Sequence, residues 1–392
     1  MAVAVGGKPA AECLATDLEP ARMTASYPAA AAEAHDDSVL LRRQGHAAYL
    51  TLNRPRAINA LTQAMVLRIS AALEEWARDD SVRVIVLTGA GERGLCAGGD
   101  IRAVREAVLT GQPRAAAEFW RDEYVLNHAI SRYAEQYGKP YVAIMDGIVM
   151  GGGVGVSAHG DVRVVTERSM VAMPETGIGF VPDVGGTYLL SRAPGELGTH
   201  LALTGAPIGA ADAVLCGLAD HFIPSADLPA FTASLATDDV ATALAAYTAP
   251  LPEAVEAGLA RNRSWIDECY AADTVEEIVE RLNAYGSEAA KLTAELMLAK
   301  SPTSLKVTLA AIRRARALPD LAHVLEQEFL VSCTALTAPD FAEGVRAQVV
   351  DKDRNPRWSP ATLAAVTEAD VARHFTPPEP GQEHAYLGPL NL

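Results

Sequence analysis

From Ser38 to Leu52 apolar and polar residues alternate as in a strand, and a break at Gln44-Gly45 predicts a β-hairpin. Thr62 then opens a stretch in which Met65, Ile69, Ala72, Leu73 and Trp76 recur at helical spacing, so a helix with one apolar face is expected. Val84–Gly89 is a short, mostly apolar run stopped by glycine, the pattern of a strand covered on both faces. Tyr141–Met145 and Val162–Val165 repeat it, with helical segments between. Such alternation implies an α/β fold whose strand ends deliver loops to one face.

Near Pro250 the pattern changes. Val275, Ile278, Val279 and Leu282, then Leu321, Val324, Leu325 and Phe329, form apolar stripes that predict helices packed on the α/β part. The expected organisation is a flexible N-terminal tail (residues 1–37), a catalytic core (38–248), a helical C-terminal region (249–376) and a tail (377–392).

Composition then narrows the function. The chain has 392 residues, 49% hydrophobic and 21% charged, as expected of a globular protein with a substantial core. A formal charge of -16 argues against a general nucleic-acid or anionic-membrane surface, and a polyanionic small ligand would need a local basic pocket. No apolar stretch approaches the length of a membrane span. The five cysteines, Cys13, Cys96, Cys216, Cys269 and Cys333, form neither a C-x-x-C pair nor a metal-spaced cluster, so reduced thiols are expected. The N-terminal segment carries Glu12, Asp17, Glu19 and Glu33 against Lys8 and Arg22, unlike a transit or signal peptide, so the expected location is cytoplasmic.

The candidate chemistry lies in residues 173–186. Glu175 and Asp183 sit there among apolar residues, prolines and glycines, surroundings that disfavour a charged carboxylate and so tune it as an acid or base near neutral pH. Upstream, the glycines of residues 150–155 allow a backbone to approach a ligand closely. Amide donors beside a carboxylate suit carbonyl chemistry, in which an oxyanion develops and must be stabilised.

At these residues the chain resembles a known group. Asn53-Arg54-Pro55-Arg56-Ala57-Ile58-Asn59-Ala60-Leu61 is similar to the acyl-CoA-binding opening of the crotonase (enoyl-CoA hydratase/isomerase) superfamily. Cys96-Ala97-Gly98-Gly99-Asp100-Ile101 and Met150-Gly151-Gly152-Gly153-Val154-Gly155 resemble its two oxyanion loops. Arg121-Asp122-Glu123-Tyr124, Pro174-Glu175-Thr176, Phe180-Val181-Pro182-Asp183, the run from Asp340 to Ala347, Asp351-Lys352-Asp353 and Pro356-Arg357-Trp358 resemble the 3-hydroxyisobutyryl-CoA hydrolase family within it. Hydratases of the superfamily carry a catalytic glutamate two residues after the triple glycine, where this chain has Gly155.

The resemblance implies a crotonase-like spiral of ββα units with a helical C-terminal region, and hydrolysis of 3-hydroxyisobutyryl-CoA to 3-hydroxyisobutyrate and CoA in valine breakdown. The N–H groups of Ala97 and Gly152 would hold the oxyanion; Glu175 would attack the carbonyl or activate water. Asp183 would bind the 3-hydroxyl or steer thiol and water, and Glu123 would hold the hydroxyacyl end, although a solvated helix face also explains a glutamate there. Arg56, Ala57 and Ile58 would contact the CoA moiety, with Gly98, Gly99, Asp100, Ile101 and Gly151 completing the substrate loops. No metal or cofactor is expected, since CoA arrives as part of the substrate. The partner is thus a small acyl-CoA. A homo-oligomer is the superfamily's common state, but a C-terminal extension could cover or replace those contacts. The competing functions are an enoyl-CoA hydratase or isomerase and a non-catalytic acyl-CoA-binding protein. Asp351-Lys352-Asp353 is read as a structural turn.

Overall fold

A computed structural model describes residues 37–252, 257–379 and 385–392. The predicted N-terminal tail, Asp37 apart, and Cys13 lie outside these residues. β1 (Val39–Gln44) turns through Gly45, at φ +56°, into β2 (Ala47–Leu52), and the two pair antiparallel as the hairpin pattern requires. Parallel pairings then follow through β3 (Val84–Gly89), β4 (Gly94–Cys96), β5 (Tyr141–Met145), β6 (Ile148–Met150), β7 (Val162–Val165), β8 (Met170–Ala172) and β9 (His221–Phe222). They form a six-stranded sheet, β1-β2-β3-β5-β7-β9, and a three-stranded sheet, β4-β6-β8. From β3 onward each repeat gives one strand to the large sheet and the next to the small one, so the chain winds as a spiral of ββα units. β5 is buried along its whole length, which explains its unbroken apolar run.

The helices between strands supply the walls. α1 (Gln63–Ala77) begins where the Thr62 hydroxyl accepts the Met65 N–H, and its predicted apolar face is buried. α2 (Ile101–Leu109) is followed by α3 (Pro113–Tyr137), which opens on a proline and closes on Gly138 in a left-handed conformation. Trp120, Glu123, Tyr124 and Asn127 are all buried on α3, and their helical spacing puts them on one face.

The C-terminal helices are built into the core. Phe341, from the Pro339–Val345 helix, packs edge-on against Trp120 and Phe180, which stack on each other at 4.7 Å between centroids. That helix lies so close to the segment after Glu175 that a Cβ on Gly344 would stand 2.3 Å from the Ile178 carbonyl carbon. A π-helical turn, Arg346–Val350, follows, and Arg346 pairs there with Glu343, Asp351 and Asp353. The structural reading of Asp351-Lys352-Asp353 holds.

The predicted C-terminal tail needs correction at its end. Ala385 and Leu390 are buried in the main core, and Arg121 donates to the carbonyls of Leu387 and Gly388. Glu326 accepts the N–H groups of Leu390 and Asn391. Hydrogen bonding to two helices, which composition does not reveal, fixes these residues.

Candidate active site

Strand ends and turns converge on one cavity of ≈ 360 Å³. Its walls include Gly98 and Gly99 after β4, Gly151 and Gly152 after β6, Glu175 and Asp183 after β8, and Trp120 and Glu123 of α3. Lys300, in the turn between the Glu288–Leu298 and Pro302–Ala315 helices, and Gln348 and Val349 of the Arg346–Val350 turn add a wall from the C-terminal region.

Glu175 is the first residue of the 3₁₀ turn Glu175–Ile178, which starts because Pro174 leads it and Gly179 ends it in a left-handed conformation. Its side chain is buried, and Oε2 has no hydrogen-bond partner among the described residues. Burial holds its carboxyl well above the usual range, and the charge of Asp183 raises it further. Asp183 is also buried, and the Tyr124 hydroxyl donates to its Oδ2 at 2.6 Å. Burial lifts Asp183 to about 7, with the Tyr124 hydrogen bond opposing. Glu123 is 2% exposed, its Oε1 unpartnered, and burial then Asp183 push its carboxyl well up. The solvated-face alternative for Glu123 therefore fails.

The glycine loops bring backbone against these carboxylates. A Cβ on Gly152 would lie 2.4 Å from Glu123 Oε1 and 3.2 Å from the Gly99 nitrogen. One on Gly151, which sits at φ +48°, would lie 2.8 Å from Glu175 Oε1. Neither the Gly99 nor the Gly152 N–H has an acceptor among the described residues, so both are free to bind a ligand oxygen. Ala97 is different. Its N–H donates to the Ile58 carbonyl at 2.9 Å, which removes it as an oxyanion donor and leaves Gly99 as the geometric alternative.

Other expected site residues divide. Ile101 and Gly98 line the cavity, whereas Asp100 points elsewhere and pairs with Arg54 at 3.0 Å. Arg56 and Ala57 are exposed on the 3₁₀ turn Pro55–Ala57 and do not line the cavity; Ile58 is engaged through its carbonyl. Residues that sequence reasoning missed are Tyr124 as the Asp183 partner, Trp120 and Phe180 as walls, and Lys300 and Gln348. The spacing of Trp120, Glu123 and Tyr124 on one helix face was the available signal for the first two. Lys300 and Gln348 had none, because the tertiary packing of two segments distant in sequence brings them in.

At position 155 the space that a hydratase glutamate would need is filled. A Cβ there would lie 2.7 Å from Val184 Cβ and 3.0 Å from Asn127 Nδ2. Cys96, beneath the first loop, is buried and pushed up to about 12, so it is no nucleophile. Among the described residues no cluster of three or more His, Cys, Asp or Glu has a metal-holding arrangement.

The sequence profile of the enoyl-CoA hydratase/isomerase family matches residues 47–375. The chain is 42% identical over 345 residues to the mitochondrial 3-hydroxyisobutyryl-CoA hydrolase of Rattus norvegicus, covering 86% of this chain and 88% of that one. It is 41% identical to the Homo sapiens protein of the same name, again over 86% of this chain and 88% of the relative. Among solved structures, a carnitinyl-CoA dehydratase from Mycobacterium thermoresistibile matches with TM-score 0.83 and 53% identity, covering 88% of this chain and 98% of that one. An enoyl-CoA hydratase from Rhodobacter sphaeroides matches with TM-score 0.80 and 40% identity, covering 87% and 97%. With this profile, these identities and the ββα spiral in agreement, the chain belongs to the enoyl-CoA hydratase/isomerase family.

Proposed function

We propose that this protein hydrolyses a short 3-hydroxyacyl-CoA thioester, converting 3-hydroxyisobutyryl-CoA and water to 3-hydroxyisobutyrate and CoA in valine breakdown. The observation that carries the reading is the placement of buried Glu175 and Asp183 on one cavity beside two free backbone N–H groups, with position 155 closed to a carboxylate. Curated relatives near 41% identity bear the hydrolase name.

In this mechanism the thioester carbonyl oxygen sits between the Gly99 and Gly152 N–H groups, which stabilise the tetrahedral oxyanion; one such donor is worth about 3 kcal/mol. Glu175 attacks the carbonyl to give a mixed anhydride, or takes a proton from attacking water; both routes use the same carboxylate. Thiolate departs as CoA, and water completes the acyl transfer. Asp183, with Oδ2 held by Tyr124, orients the hydroxyacyl group and the water, and Glu123 closes the acyl end. Trp120 and Phe180 exclude bulk water there.

Dehydration or hydration is the second reading, favoured by one specific observation. Glu123 and Glu175 both approach the second glycine loop, and two carboxylates could serve the two proton transfers. The two structural relatives, a carnitinyl-CoA dehydratase and an enoyl-CoA hydratase, are named for that class of reaction. Free-thiol release from 3-hydroxyisobutyryl-CoA, run beside hydration of crotonyl-CoA, separates the readings. Thiol release with little hydration supports the hydrolase; hydration without thiol release overturns it.

We place the enzyme in the cytoplasm, a reading supported by the four described cysteines being unpaired. The Rattus norvegicus and Homo sapiens relatives are named as mitochondrial proteins. Among the described residues no helix is long and apolar enough to cross a membrane.

A further inference from the structure

Two buried polar residues that touch no part of the cavity stand one turn apart on the Leu321–Leu336 helix: Glu328, 1% exposed, and Ser332, 0% exposed. The Ser332 hydroxyl lies 2.8 Å from the Tyr124 hydroxyl. Since Tyr124 spends its only proton on Asp183, Ser332 must be the donor in that pair. Glu328 grips the chain just beyond Asp183. Its Oε2 accepts the Gly185 N–H at 2.6 Å, and its Oε1 accepts the Thr187 N–H at 2.8 Å and the Thr187 hydroxyl at 2.5 Å. Directly after Asp183 the backbone turns left-handed, at Val184 (φ +54°) and Gly185 (φ +78°), and at Val184 this is strained. A β-branched residue rarely adopts a left-handed conformation unless its surroundings impose it. His159 Nε2, 2.8 Å from the Val184 carbonyl, braces the same turn from the other side.

We propose that Glu328 and Ser332 are positioning residues for Asp183. Glu328 fixes the backbone that presents it, and Ser332, through Tyr124, fixes the orientation of its carboxylate. This ties the C-terminal helix to the reacting centre. It also explains a buried carboxylate that has no cation among its hydrogen-bond partners and is not itself on the cavity wall. The inference rests on the reading of Asp183 as a catalytic group.

The test is a double-mutant cycle on the full chain, run on whichever reaction the native protein performs, so that it does not depend on the choice between hydrolysis and hydration. The variants are Glu328→Gln, Ser332→Ala and Asp183→Asn, alone and combined, with kcat and KM measured separately and folding checked by thermal unfolding. Glu328→Gln keeps one acceptor and is expected to lower kcat about 10-fold or more, and Ser332→Ala about 3-fold or more, with KM little changed. In the Asp183→Asn background each is expected to cost less than about 2-fold further, because the group it positions is already gone. Full multiplication of the losses in that background, or losses in KM alone, would show a general structural role and overturn the proposal. A native turnover for Asp183→Asn would instead remove Asp183 from the mechanism, and the proposal with it. Should Glu328→Gln fail to fold, Ser332→Ala, which deletes one oxygen, decides the question.

Discussion

Gly155 and Val184 are packed so closely that any side chain at 155 would strike Val184: an added Cβ falls 2.7 Å from Val184 Cβ. Asn127 closes the other side at 3.0 and 3.1 Å from its amide atoms. The missing hydratase carboxylate is therefore absent in space as well as in sequence. Gly155→Glu is expected to gain no crotonyl-CoA hydration and to destabilise the protein by about 3 kcal/mol, through overpacking and a buried charge. Urea unfolding and the hydration assay check both parts; a stable variant with new hydratase activity would refute the packing argument.

Glu175→Gln keeps the shape of the side chain and removes its capacity as nucleophile or base. Turnover is expected to fall by about 10³-fold or more, while affinity for a CoA thioester stays within a few-fold. Single-turnover kinetics with a binding titration would show this. Undiminished turnover would remove Glu175 from the chemistry.

Burial raises the carboxyls of Glu175, Asp183, Glu123 and Glu328, with Asp183 at about 7 and Glu328 at about 8. The folded state thus favours their neutral forms. The contributions of Asp183 and Glu328 to stability are complete below the unfolded-state pKa, about 4, and are lost as pH rises through 7 to 8. Unfolding free energy should fall between pH 5 and pH 8.5, and Asp183→Asn should flatten the fall and exceed the native protein at pH 8 by about 2 kcal/mol. Turnover should move oppositely, rising as Glu175 ionises. Urea melts at several pH values test the first claim, and a pH–rate profile tests the second.

Asn59, wholly buried at φ +54°, joins the two loops that frame the first glycine turn. Its Nδ2 donates to the carbonyls of Leu95, Gly94 and Ala90, and its Oδ1 accepts the Arg54 N–H. Asn59→Ala leaves these groups without partners and puts alanine in a left-handed conformation, so a loss of about 3 kcal/mol is expected. Because the same loop carries the Gly99 N–H, kcat should fall more than KM rises. A loss below about 1 kcal/mol would show that water replaces the amide.

Lys300 lines the cavity, in a chain of net charge -16. An ammonium there suits the phosphates of CoA. Lys300→Ala should raise KM for the CoA thioester by about 5-fold, a change of about 1 kcal/mol, and leave the N-acetylcysteamine thioester unaffected. Equal effects on both thioesters would assign Lys300 to the acyl end.

The sequence by itself determined the elements that local pattern controls. The hairpin at Gln44-Gly45, the Thr62-capped helix and the apolar strands Val84–Gly89, Tyr141–Met145 and Val162–Val165 all form, because periodicity and turn residues act over a few neighbours. Glu175 and Asp183 were legible for a related reason: two charges in an apolar, glycine-rich segment require a special environment, and the cavity supplies it. Tertiary structure decided which amides remain free and which side chains meet. Ala97 and Gly99 are two residues apart, and only the approach of Ile58 shows that one N–H is spent and the other open. Glu123 could be read from sequence either as holding the hydroxyacyl end or as a solvated helix face, and only the packing of α3 beneath the glycine loop, which buries it, removes the second reading. Tyr124, Glu328 and Ser332 reach Asp183 and the turn beside it only because helices far apart in sequence pack together. Such contacts depend on the relative placement of whole elements, which no local pattern encodes.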